Sequence, residues 1–301
     1  MPQCSVPVLR FGLACSVSLL MAGCSFTQFL QEPDRNTQKE TVQALTEDGR
    51  LLTVRAAMPW QTVTVTRPTG LPTGETVVAM DYRVAKGVLY ALGRTGQLYL
   101  LDADAQAWKA VGAGRHQTPL VGSRFEMDFN PTVMRIRVVS DKGQNFRIHP
   151  DTGLMVDGDD QTPGVQGDPL LSYAAGDTGE GRTPVVTATA YTYNQKDDKV
   201  TTNYVIDIER GVLAMQGSKE GVAPVESPNL GILRTVGPLG LEGITRAALD
   251  ISDVNNTALL SASTQADART RLYRVDLESG QAKLLGTLGN GERIVGFAIQ
   301  P

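Results

Sequence analysis

A recurring strand constrains the fold of this chain more than any other feature. LLTV (51–54), LYLL (98–101), NFRI (145–148), NYVI (203–206) and LYRV (272–275) align so that the second position holds Leu52, Tyr99, Phe146, Tyr204 and Tyr273. The first three copies stand 47 residues apart, and the later spacings of 58 and 69 read as loop insertions. A unit repeated at that period cannot bury its apolar face alone, whereas stacked copies can. Most copies run into a polar turn, as in Asp102-Ala103-Asp104, His149-Pro150-Asp151-Thr152-Gly153, Asp207-Ile208-Glu209-Arg210-Gly211 and Asp276-Leu277-Glu278-Ser279-Gly280. Asp and Gly at such places close a tight reversal into the next strand.

A second element precedes the first. VVAMDY (77–82), FEMDF (125–129) and RAALDI (246–251) are short apolar strands, and LLSYAA (170–175) reads as a degenerate fourth. IVGFAIQ (294–300) has no partner strands after it, while residues 43–67 hold VQALTED, LLTVR and QTVTVTR with no such strand before them. The two ends complete each other. That pattern implies an all-β β-propeller of five four-stranded blades, closed between the N- and C-terminal strands: 294–301 with 43–71, then 75–113, 123–160, 168–238 and 244–289. Closure also removes exposed sheet edges. A pair of β-sandwiches competes, but it accounts for neither the aromatic repeat nor the incomplete ends. The repeated aromatics are expected as flat fillers between adjacent blades. Trp60 and Trp108, at turn or outer-strand positions, are expected to cap the rim.

The stretches EMDFNPTVMRIRVVSDKGQNFRIHPDTGLMVDG (126–158), TATAYTYN (187–194), NYVID (203–207), ILRTVGPLG (232–240) and LYRVDLESG (272–280) resemble the bacterial family known as domain of unknown function 4394. The resemblance covers nearly everything after residue 42 and is most specific over 126–158. It implies a propeller-like fold and an export signal, and no molecular role. The chain departs from the family's asparagine-rich turn at Gln195-Lys196-Asp197-Asp198, which marks that turn as a variable loop tip.

The amino-terminal segment speaks to compartment. Arg10 is followed by the uncharged run Phe11 to Met21, which suits a signal peptide and is short of the ~20 residues a membrane span needs. Met21-Ala22-Gly23-Cys24 then reads as a lipobox: the small pair enters a peptidase site, and the Cys24 thiol takes a diacylglyceryl group. We therefore expect a signal peptide at 1–23, a polar tether at 24–42 and the propeller at 43–301. Several acyl chains, palmitate among them, would hold Cys24 stably to a membrane. The expected location is the cell envelope, at the outer membrane where the host has one, because Ser25 rather than Asp follows the cysteine. Cys4 and Cys15 lie in the removed segment, so no disulfide framework can form. The formal charge of −4 becomes −5 on loss of Arg10, with no basic block, and nothing favours a nucleic-acid partner. An envelope protein or polymer is the expected partner besides the membrane.

The chain offers little chemistry. His116 and His149 lack a cysteine cluster or a second histidine at ligand spacing, which argues against zinc. No G-x-S-x-G elbow is present, which argues against a hydrolase triad. The runs Gly176–Gly181 and Gly286–Gly291 link strands instead of opening a helix, so they are loops and not phosphate cradles. Asp157-Gly158-Asp159-Asp160 lacks calcium-loop spacing and reads as a solvated loop. The constellation that remains is Asp81, Asp128 and Asp250, which share one position on the repeated inner strand and so face the central channel. Converging carboxylates there can hold Ca²⁺, as a channel-centred hydrolase or lyase would need. Alternatively each accepts hydrogen bonds from its own turn or the neighbouring blade. The second role is the one expected, and with it a non-enzymatic propeller that binds or scaffolds.

Overall fold

The computed structural model describes residues 1–3, 37–114 and 118–301; Cys24 with its lipobox, and His116, lie outside the described residues. The chain divides into two units, Met1–Arg35 and Asn36–Pro301, and the whole described fold belongs to the second.

Three strands open the fold, β1 (Thr41–Thr46), β2 (Leu51–Arg55) and β3 (Thr62–Thr66). The second blade is β4 (Val77–Arg83), β5 (Val88–Gly93), β6 (Leu98–Asp102) and β7 (Ala107–Ala110). The third is β8 (Phe125–Asn130), β9 (Arg135–Ser140), β10 (Asn145–Ile148) and β11 (Met155–Val156). The fourth contains β12 (Ser172–Tyr173), β13 (Val186–Tyr191), β14 (Asn203–Asp207), β15 (Val212–Gln216) and β16 (Ile232–Pro238). The fifth is β17 (Ile244–Ile251), β18 (Ala258–Thr264), β19 (Arg271–Val275) and β20 (Ala282–Thr287). The last strand, β21 (Ile294–Ile299), pairs antiparallel with β1, Val42 opposite Ile299, and so becomes the inner strand of the first blade. The inner strands β21, β4, β8, β13 and β17 touch in a closed ring. This is a five-bladed β-propeller closed by its terminal strands.

Position in the blade sets the sequence of each strand. An inner strand is flanked by neighbours on both faces, and β8 and β13 are buried almost throughout. At the rim one face meets water, and β3 leaves Val63 and Val65 exposed. The repeated aromatics Tyr99, Phe146, Tyr204 and Tyr273 are all buried, as is Leu52. Trp60 is exposed in the turn before β3, whereas Trp108 is buried between the first two blades beside Leu45, Leu51 and Tyr99 and does not cap the rim.

The fourth blade departs from the repeat read in the sequence. LLSYAA is not its inner strand: β12, within it, adds a fifth strand at the outer edge, parallel to β16. The inner strand is VTATAY, β13. NYVI is likewise the second strand from the axis, while LLTV, LYLL, NFRI and LYRV are third. Tyr204 lies opposite Ala190 as Tyr90 lies opposite Asp81, so an aromatic of the second strand stands in for the expected third-strand one.

The wedges between blades are not alike. Among the described residues, four are filled by buried hydrophobic clusters of ten to fifteen residues, for example Tyr90, Phe129 and Phe146 between the second and third blades. The wedge between the third and fourth blades holds only seven, including Val139, Tyr173 and Leu233.

Candidate functional site at the propeller axis

Asp81, Asp128 and Asp250 stand near the carboxyl ends of β4, β8 and β17 and converge on the axis. One carboxylate oxygen from each lies within 4.8 Å of the others, and all three residues are buried. Each also reaches round the ring to the next inner strand. Asp81 Oδ2 accepts the amide of Phe129 in β8 at 2.8 Å, Asp128 Oδ1 that of Tyr191 in β13 at 3.2 Å, and Asp250 Oδ2 that of Ile299 in β21 at 2.5 Å. The other oxygens of Asp81 and Asp250 accept the amides of Tyr82 and Ile251. Where the corresponding residue is Ala190 in β13 or Ala298 in β21, no such tie is made.

Burial raises all three acids, and neighbouring negative charges add to it. Asp81 and Asp128 are pushed well above the ordinary carboxylate range by desolvation and then by the neighbouring negative charges. Asp250 is raised to about 7, mainly by burial, against the opposing bond from Ile299. Two further acids, which the sequence reading did not single out, belong to the cluster. Asp253, in the turn after β17, is raised to about 6 by burial and presses on the other three. Glu126 lies two residues before Asp128 on the same face of β8 and is raised well above its ordinary value by desolvation. The matching residues of the other inner strands are Ala79, Ala188, Ala248 and Gly296, so Glu126 extends into a ring of small side chains. Gly296 is held to that size, because a Cβ there would meet Met80 Cγ at 2.8 Å.

The space over the triad is about 20 Å³, room for one water or one ion, and it is bounded by Asp253 and Gln300. Each carboxylate offers about four lone-pair directions, of which backbone amides take one or two. The remainder can share protons or ligate a hard cation such as Ca²⁺. Two larger spaces lie elsewhere: one of about 810 Å³ at the opposite mouth of the channel, reached by Glu126, Arg124 and Arg246, and one of about 490 Å³ between the third and fourth blades.

The other sequence candidates lie apart from the axis. His149 sits in the β10–β11 turn, where its Nδ1 accepts the Asp151 amide. Asp157 to Asp160 is an exposed loop, in which Asp157 binds the amides of Asp159 and Gln166. Residues 176–181 lie between β12 and β13, and 286–291 run from the end of β20 toward β21.

A five-bladed ring whose axis is laced by buried carboxylates defines the class of protein. Residues 50–298 match the family described as Domain of unknown function (DUF4394), and the chain belongs to that family. No curated protein matches it. Among solved structures the chain is similar to hydrazine synthase of Kuenenia stuttgartiensis, at 10% identity and a TM-score of 0.41, over 73% of this chain and 53% of that one. The chain thus spans about half the length of that structure.

Proposed function

We propose that this protein is a bacterial envelope lipoprotein, anchored to a membrane through acylated Cys24, whose propeller is a non-enzymatic binding or scaffold module. The lipobox supports the anchor, and Ser25 favours outward sorting in a host with an outer membrane. One observation carries the non-enzymatic part: Asp81, Asp128 and Asp250 each accept an amide from the adjoining blade, which is what a rigid platform needs. Labelling with a fatty-acid analogue tests the anchor. Wild type takes label and Cys24→Ala does not; equal labelling refutes it.

A second reading has its own observation, the approach of three carboxylates to within 4.8 Å. Such a cluster suits Ca²⁺, and with it a channel-centred hydrolase or lyase. Melting curves with chelator and with added Ca²⁺ separate the two. On the platform reading neither moves the transition, and Asp81→Ala destabilises by about 1 to 3 kcal/mol through stranded amides. On the cation reading, a hundredfold excess of Ca²⁺ over Kd stabilises by about 2.7 kcal/mol, and Asp128→Ala abolishes the effect.

A further inference from the structure

The wedge between the third and fourth blades is where the molecule breaks its own packing rule. The residue opposite Asp128 in β9 is Arg137, while the matching positions carry Tyr90, Tyr204, Leu259 and Gln43. Arg137 is buried, with a side chain 1% exposed. Its Nε donates to the Tyr191 hydroxyl at 2.7 Å, and its terminal nitrogens donate to Asn145, Asp168 and Asn229. Asn145 also accepts from Gln216, which accepts from Asn203, so a polar network takes the place of part of the apolar filler found in the other wedges. Buried charge of this kind is a poor source of stability compared with well-packed hydrophobic residues, which directs attention to what the network holds in place.

It forms the wall of the cleft of about 490 Å³. Charge in that cleft is unbalanced. Asp168 is shared between Arg137 and Arg147, which leaves one positive charge over. Arg135 donates only to the backbone carbonyls of Val133 and Met134, and Lys199 has no ion-pair partner among the described residues. Of the other lining charges, Glu226 pairs with Arg234 and Lys219 with Glu278, while Glu220, with no cation partner among the described residues, offsets one positive charge, so the cations remain in excess. The rest of the lining is rich in amide and hydroxyl side chains, such as Asn130, Thr132 and Asn229. A surplus of cations in an otherwise acidic chain, set among groups that pair with hydroxyls, matches a sugar bearing an oxyanion.

We infer that this cleft binds an acidic glycan, through a carboxylate on the sugar held by Arg135, Lys199 and Arg147, with the buried Arg137 network fixing the wall behind them. The inference rests on the propeller being a binding module. The test is calorimetric titration of the full chain in detergent with trigalacturonate, with neutral galactotriose and with inorganic phosphate. Trigalacturonate binds and is displaced by salt, galactotriose does not, and Arg135→Gln and Lys199→Gln each weaken binding about tenfold, with Lys86→Gln unchanged as a control outside the cleft. Both test residues lie off the buried network, so folding is preserved. Absence of uronate binding, equal binding by all variants, or binding of phosphate alone overturns it. The lipid-labelling and calcium results do not depend on the cleft, so failure here is distinct from failure of the wider reading.

Discussion

Stability of this protein should fall as pH rises through the neutral range, opposite to the usual effect of carboxylates. Asp250 goes from an ordinary value of 3.8 to about 7 on folding. At about 1.4 kcal/mol per unit, holding it ionised in the folded protein costs about 4 kcal/mol. Because the folded value is raised, the folded state keeps a proton that the unfolded chain has already released between these two values. Stability therefore declines across that window, and the full cost is present above it. Asp81 and Asp128 are likewise pushed well above the ordinary carboxylate range, by burial and then by neighbouring negative charges, and titrate together with Asp250, so they add to the decline. Asp48, bonded by Thr46 and Arg50, and Asp267, held by Arg269 and Arg271, are lowered and finish titrating before the window opens. For a domain of this size, about 4 kcal/mol corresponds to roughly 10 °C in Tm. The assay is thermal melting of chelator-treated protein between about pH 5 and about pH 9. Asp128→Asn flattens the curve, since Asp128 uses one oxygen for the Tyr191 amide and Asn retains that acceptor while removing a charge. A Tm that stays level or rises with pH refutes the account of the axis.

Deleting Ile294–Pro301 removes the inner strand of the first blade and opens two edges, so the product is expected to be insoluble or rapidly cut by protease; melting within a few degrees of the parent refutes the closure. Phe146→Ala, in the wedge between the second and third blades, lowers stability by about 3 to 5 kcal/mol in denaturant titration, while Trp60→Ala, at the exposed rim, stays within about 0.5 kcal/mol.

The five blades were legible because their inner and third strands repeat a chemical signature. An apolar strand ending in Asp and then a large residue marks β4, β8 and β17, and the unpartnered IVGFAIQ supplied the closure. The fourth blade lost that signature. Its inner strand carries Ala190 where Asp is expected, and its small, β-branched sequence VTATAY has no bulky residue until Tyr191. The more hydrophobic LLSYAA carries the stronger strand signal, although its backbone pairs only at an edge. Asp81, Asp128 and Asp250 were found because strand position fixes facing. Glu126 carried the same signal, two residues before Asp128, and was readable from that spacing. Arg137 was not. In RIRVVS the alternation of charged and apolar residues is what a half-exposed strand shows, and only the tertiary wedge reveals that this guanidinium is buried. Asp253 belongs to a turn, whose side-chain direction no periodicity reports.

The pairing of Val42 with Ile299 has a kinetic consequence. A chain synthesised from its amino end has β1 to β3 early and must wait for nearly everything else before that blade can acquire its innermost strand. The search for this one contact spans almost the whole polypeptide, which places the fold among those that assemble slowly and late. Until then, strand β1 has a vacant edge toward the axis, the kind of surface to which folding helpers and wrong partners alike attach.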